Sequence, residues 1–265
     1  MRRRSTMAPK PRSLFVVLRR GSARLSRSTV YMSFVLFALS LIVVAAHGEV
    51  RQLNPLSWAF CPGPEGDTML GWVNTEFLSM LPLIGGLYAV VAVAWIVAGP
   101  MGGGALELVL AQPVKRETYL LGKFLAVVKA IIYFHLASFL GLTVGFLFVG
   151  YSPAWMAYLS LFAHSLVMVL TVAALAQVIA VVMGNVVQAI TYGVGLVLVF
   201  FVFDILLRTE GGLEGWRMMT PFGCYSGCEI LAGSAVLAYS LGCLVGWGAL
   251  MLTLSVHIFV HKDLD

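Results

Sequence analysis

Residues 101–123 read MGGGALELVLAQPVKRETYLLGK, and the chain on either side of them is apolar for the length of a membrane crossing. Gly102–Gly104 permit a sharp exit from the preceding helix. Leu106, Val109 and Leu110 fall on one helical face and Glu107 on another, the pattern of a short amphipathic helix. Pro113 ends that helix, and Lys115-Arg116-Glu117 is polar before Tyr119-Leu120-Leu121-Gly122-Lys123 leads into the next apolar block. A chain that only had to turn around would need a few polar residues. This one places a structured, charged element at the membrane surface, where a soluble partner can grip it.

The rest of the composition agrees with a membrane protein. The chain is 60% hydrophobic and 11% charged, with a mean hydropathy of +0.94, against about 25% charged for soluble domains. Its apolar residues form six blocks of the ~20 residues that cross ~30 Å of hydrocarbon as a helix. They run over about 30–46, 77–98, 124–150, 156–183, 186–207 and 231–260, with only Gly184 and Asn185 between the fourth and fifth. The blocks do not alternate apolar with polar residues, which excludes a transmembrane β-barrel. The expected fold is therefore all-α: one six-helix transmembrane domain over residues 29–265, preceded by a basic arm and short amphipathic helix over 1–28. Pro82, with Gly85-Gly86 behind it, reads as a kink in the second span.

Basic residues set the expected orientation. Nine of the 17 Lys and Arg residues lie in 1–28, and Lys115, Arg116 and Lys123 follow the second span. Arg51, Arg208 and Arg217 lie among acidic residues in the loops of the other side. Short basic loops stay in the cytoplasm, so both termini are expected there, with loops 47–76, 151–155 and 208–230 outside. The net charge of +5 thus reads as topology, and nucleic acid is not an expected partner. The first apolar run is longer than the ~7–15 residues of a signal-peptide core and lacks a small-residue cleavage site, so it reads as an uncleaved span. Within the arm, Leu14–Leu18 next to Arg19, Arg20 and Arg24 suits a helix lying on membrane lipids, with its arginines toward anionic headgroups.

The loop sequence resembles the membrane subunits, or permeases, of ABC transporters of the type-2 class. Those proteins commonly carry Gly-Thr-Leu-Glu-Leu-Leu-Leu-x-x-Pro-Val-x-Arg and then Leu-Leu-Gly-Lys between spans two and three. The matching residues are Gly104, Leu106, Glu107, Leu108, Leu110, Pro113, Val114, Arg116, Leu120, Leu121, Gly122 and Lys123. Ala105 stands where threonine is usual, which removes a hydroxyl able to cap the helix. The resemblance implies a permease subunit of an ATP-driven exporter, with the loop as a coupling helix seated on a separate ATPase. Leu106, Glu107, Leu108, Leu110, Pro113, Val114, Lys115 and Arg116 would make that contact. It also implies a second permease chain, identical or different, ATP-Mg held on the partner subunit, and a bacterial cytoplasmic membrane. No cofactor is expected in this chain, and no phosphate-binding loop occurs: the one Gly-Lys pair, Gly122-Lys123, is followed by Phe124. Closure of the ATPases would then switch the spans between inward- and outward-facing states.

Polar residues inside apolar spans usually face the bundle interior or a cavity. His135 lies near mid-span, and His164 and Asp204 fall in the outer halves of spans four and five. They read either as a His164–Asp204 pair lining an outer vestibule or as separate, locally hydrogen-bonded residues. Cys61, Cys224 and Cys228 fall in outer loops and Cys243 within a span. Cys61 paired with Cys224 or Cys228, these two paired together, and free thiols all stay open. Met218-Met219 with Cys224 and Cys228 are soft ligands of the kind Cu(I) takes, but no full metal-site pattern occurs and none is expected. His257 and His261 read as interfacial anchors. No enzymatic constellation gathers on one surface. Two other readings compete: a proton-coupled secondary carrier using His135, His164 and Asp204, and a non-transporting anchor that recruits a cytosolic protein through residues 101–123.

Overall fold

The computed structural model describes residues 11–47, 61, 68–102, 115–209, 214–233 and 236–262. Six of its helices are long and apolar enough to cross a membrane, and no strand occurs among the described residues. Helix α1 spans Pro11–Ala45 without interruption. The separate interfacial helix expected before residue 30 is instead the first part of this single rod. Gly21 does not break it and instead packs against α3, where a Cβ would lie 2.8 Å from Ala126 Cβ.

Helix α2 covers Met69–Gly102 and starts ahead of the apolar block at Phe77. Thr68 caps it, its Oγ1 accepting from the Gly71 amide at 2.9 Å. Wide π-helical turns occur at Asn74–Leu78 and Ala94–Ala98. The α-helical run between them begins at Leu81, so Pro82 sits in its first turn, where a missing N–H costs little. The irregularity of this span belongs to the π turns rather than to the proline.

Helix α3 covers Arg116–Phe148, α4 Trp155–Met183 and α5 Val186–Thr209. Two residues separate α4 from α5. Gly184 closes α4 at φ +63°, and Asn185 Oδ1 caps α5 by accepting from the Val187 and Gln188 amides. Short 3-10 turns at Glu214–Met219 and Phe222–Cys224 and the small helix α6, Gly227–Leu231, precede α7, Val236–His261. The sixth span thus begins later than residue 231, because Gly233 turns the chain at φ +68° first.

Helices α2 and α4 form the centre. In each, 61% of the most apolar window is buried, against 22% for α1 and α5 and 17% for α7, so these three turn apolar faces outward. Hydrocarbon gives apolar faces no reason to associate, and close packing and hydrogen bonds between helices take over that role. Glycines supply the close packing between α1 and α3, which run parallel. A Cβ on Gly122 would meet Val17 at 2.8 Å, and one on Gly145 would meet Val44 at 2.9 Å. Gly85 and Gly86 of α2 face Val169, Phe134 and Val172 in the same way, and Gly193 of α5 faces Val90. Hydrogen bonds tie α4 to α7: Thr171 Oγ1 donates to Leu244 O at 2.9 Å and Gln177 Nε2 to Ser255 Oγ at 3.0 Å. Each such bond contributes on the order of 0.6–2 kcal/mol.

Gly141→Val would press its Cβ onto the Phe37 carbonyl and Ser40 Oγ of α1. It is expected to destabilise the bundle by about 1–3 kcal/mol, as overpacking does, measured by thermal unfolding in detergent. Gly195→Ala, in open space on α5, is expected to leave the midpoint unchanged or raise it slightly.

Candidate functional site

One end of the bundle gathers the start of α1, the end of α2, the start of α3, the α4–α5 junction and the end of α7. Residues 103–114 connect α2 to α3 here. Of the sequence-derived contact residues, Leu106, Glu107, Leu108, Leu110, Pro113 and Val114 lie outside the described residues. Lys115 and Arg116 lie within them. Lys115 is exposed, in extended conformation at the N-cap of α3. Arg116 turns inward: its Nη1 donates to Val260 O at 3.2 Å and Lys262 O at 3.0 Å. Lys262 in turn donates from Nζ to Val181 O at 2.8 Å and Val182 O at 2.9 Å.

Two cations thus fasten three helices beside the connecting segment. Arg116, at the head of α3, holds the end of α7, and Lys262, just past α7, holds the end of α4. Both act on carbonyls that have no partner in their own helix, at the negative end of the helix dipole. Tyr119 of α3 adds a stacked contact with Phe259 of α7, ring centroids 6.1 Å apart. On the other side of the junction, a Cβ on Gly102 of α2 would lie 3.2 Å from Gly184 O. At this end α2, α3, α4 and α7 are thus joined through described contacts. Sequence reading assigned Arg116 to a partner and gave Lys262 no role. A basic residue just past a helix end was the available signal for Lys262.

The opposite end carries a different set. Asp204 on α5, its side chain 4% exposed, accepts from Arg208 Nε at 2.7 Å and from Arg217 Nε at 3.4 Å. Arg208 Nη2 also reaches Tyr225 O at 2.8 Å, and the Tyr225 hydroxyl donates to Leu78 O. Burial pushes the Tyr225 phenol up, a shift that nearby Arg208 partly opposes. Of the two readings of His164 and Asp204, the direct pair is not the one formed, because two guanidinium groups take the carboxylate. The Asp204–Arg208 spacing of four residues was legible as one helical face, whereas Arg217 comes from the loop. His164 Nδ1 lies 2.7 Å from Ser160 O, and His135 Nδ1 lies 3.0 Å from Ile131 O, with its Nε2 3.4 Å from Ser165 Oγ. Each histidine thus bonds a carbonyl one turn back in its own helix, and His135 also reaches across to α4.

All four cysteines are paired, Cys61 with Cys228 and Cys224 with Cys243. The first bridge ties the chain ahead of α2 to α6, and the second ties the 3-10 turn to α7. Cys243, which sequence reading placed inside a span and left out of the pairing, is thus a partner after all. Both sulfurs that would serve a soft metal are taken. Among the described residues no group of three or more His, Cys, Asp or Glu side chains could hold a metal ion.

These features define a polytopic helical membrane protein with six helices long and apolar enough to cross a bilayer. The family model described as ABC-2 family transporter protein matches residues 23–214, from within α1 to the start of the 3-10 turn after α5. The chain belongs to that family, as a permease subunit. No curated protein matches it.

Two measurements test the far end. Maleimide-polyethylene glycol is expected to add no mass to the unreduced, denatured chain and four labels after reduction. Cys228→Ser should expose one thiol, that of Cys61, and leave the other bridge intact. Asp204→Asn leaves two largely buried guanidinium groups without their anion and is expected to cost about 3–5 kcal/mol, read as a lowered unfolding midpoint in detergent.

Proposed function

We propose that this chain is the membrane-spanning permease of an ATP-driven ABC exporter, driven by a separate ATPase subunit that grips residues 101–123. The observation that carries the reading is the family match over 23–214, which includes the connecting segment itself. The latch around that segment supports it: Arg116 and Lys262 give a push on the loop a mechanical path into α3, α7 and α4. Chemistry on ATP would belong to the partner, which binds ATP-Mg. This chain's part is to receive the motion and convert it into a rigid-body change of its helices. Leu106, Glu107, Leu108, Leu110, Pro113, Val114 and Lys115 are the proposed contact residues. Arg116 is better placed as the hinge pin behind them.

Two permease chains with two ATPase chains make the working unit, in a bacterial cytoplasmic membrane with both termini inside. The excess of Lys and Arg in 1–28 and 115–123 supports that orientation. A proton relay through His135, His164 and Asp204 is not the reading favoured, since Asp204 is held by two arginines.

The test is retention of a partner. The affinity-tagged full chain, purified from its own cells in mild detergent, is expected to bring down an ABC ATPase identified by its phosphate-loop peptides. Leu106→Arg, which puts a charge on the apolar face of the segment, should lower recovery at least ~30-fold, the loss of one interface hot spot. Unchanged recovery, or a chain that transports without any ATPase, would overturn the reading.

A further inference from the structure

A groove of about 600 Å³ runs between α1 and α2 near the Arg116 end, with Arg24 and Gly99 toward its mouth and Tyr88 at its inner end. Its walls include Val91 and Trp95, which are 38% and 60% exposed, so it opens sideways, toward whatever surrounds the bundle. The inner end is closed by hydrogen bonds of the Tyr88 hydroxyl with Thr29 Oγ1 at 3.0 Å and Ser28 Oγ at 3.4 Å. From Tyr88 to Trp95 the wall is on the order of 10 Å long by helical rise.

The mouth is cationic, with no counter-charge among the described residues. Arg20, Arg24 and Ser28 recur every four residues on α1 and form one stripe. Lys123 of α3 lies in the field of both arginines. It is only 6% exposed, and its ammonium sits 5.3 Å from the Tyr119 ring centre. Among the described residues, none of these three cations meets a carboxylate. Like charges gathered at a low-dielectric boundary repel one another, and a buried cation without an anion is costly. An anion from outside the chain would relieve both.

Two features specify its form. The lateral, apolar opening suits a hydrocarbon chain rather than a soluble ion. The exposed tryptophan beside an arginine suits the headgroup level of a bilayer, where anionic lipids of the cytoplasmic leaflet concentrate. We propose that this groove binds an anionic phospholipid, its phosphate held by Arg24 with Arg20 and Lys123 adding to the field, and its acyl chain laid past Trp95 and Val91 toward Tyr88. The inference goes beyond the transport reading and is independent of the ATPase and of the cargo.

Trp95 makes the site observable. The full chain is placed in phosphatidylcholine nanodiscs doped with brominated phosphatidylglycerol or brominated phosphatidylcholine, and the Trp95 signal is isolated by difference from Trp95→Phe. Brominated phosphatidylglycerol is expected to quench Trp95 at a mole fraction about five-fold lower than brominated phosphatidylcholine, the effect of one basic residue near an anionic surface. Arg24→Gln should bring the two curves together while leaving the phosphatidylcholine curve in place, which shows that the groove still forms; Arg24→Lys should retain the preference. Trp155, at the opposite end and isolated in the same way, should show no preference. Equal quenching of Trp95 by the two lipids would overturn the proposal. So would a preference that survives Arg24→Gln or appears equally at Trp155. Loss of the preference on adding millimolar inorganic phosphate at constant ionic strength would reassign the cations to a soluble anion and overturn it as well.

Discussion

A helix that ends beside hydrocarbon leaves carbonyl groups that its own last turn cannot satisfy and that water reaches poorly. Here the ends of α7 and α4 solve this by borrowing cations, Arg116 from the head of α3 and Lys262 from the chain just past α7. Each side chain spans two carbonyls, so each fixes position as well as charge. The rest of the Arg116 end depends on this arrangement, because α3, α4 and α7 meet the connecting segment as one group. Without it, the parallel α4–α7 pair would rest on the Thr171–Leu244 and Gln177–Ser255 bonds, both farther from that end.

The two ends of the bundle use electrostatics differently. At the Arg116 end, the cations among the described residues serve backbone carbonyls or meet no described carboxylate. At the Cys224 end, Asp204 pairs with two arginines, and two disulfides tie the loop turns to α6 and α7. One end thus presents cations, and the other holds its charged side chains in ion pairs and is cross-linked. That contrast suits a molecule that receives motion at one face and keeps a shaped cap at the other.

Much of this was legible in the sequence, because apolar blocks of membrane-crossing length have few other uses. Span count and order follow from them directly. The boundaries moved where something other than lipid covers a helix. Helix α2 begins at Met69 because Trp72, Asn74 and Thr75 are buried by protein rather than hydrocarbon, and hydropathy alone does not register that. Helix α1 is unbroken because Gly21 is spent on contact with α3, a tertiary fact that no local pattern carries. The Asp204–Arg208 pair was visible as spacing, but Arg217 arrives from a loop. Cys243 was masked by its apolar neighbours. The partner of the α3 glycines, α1, could be known only from the fold.

The junction at Gly184 and Asn185 has a mechanical corollary. Two residues of extended chain reach about 7 Å, so the end of α4 and the start of α5 cannot part company by more than a few ångströms. Since Lys262 also clasps the end of α4, whatever pulls on α7 drags the α4–α5 hairpin with it.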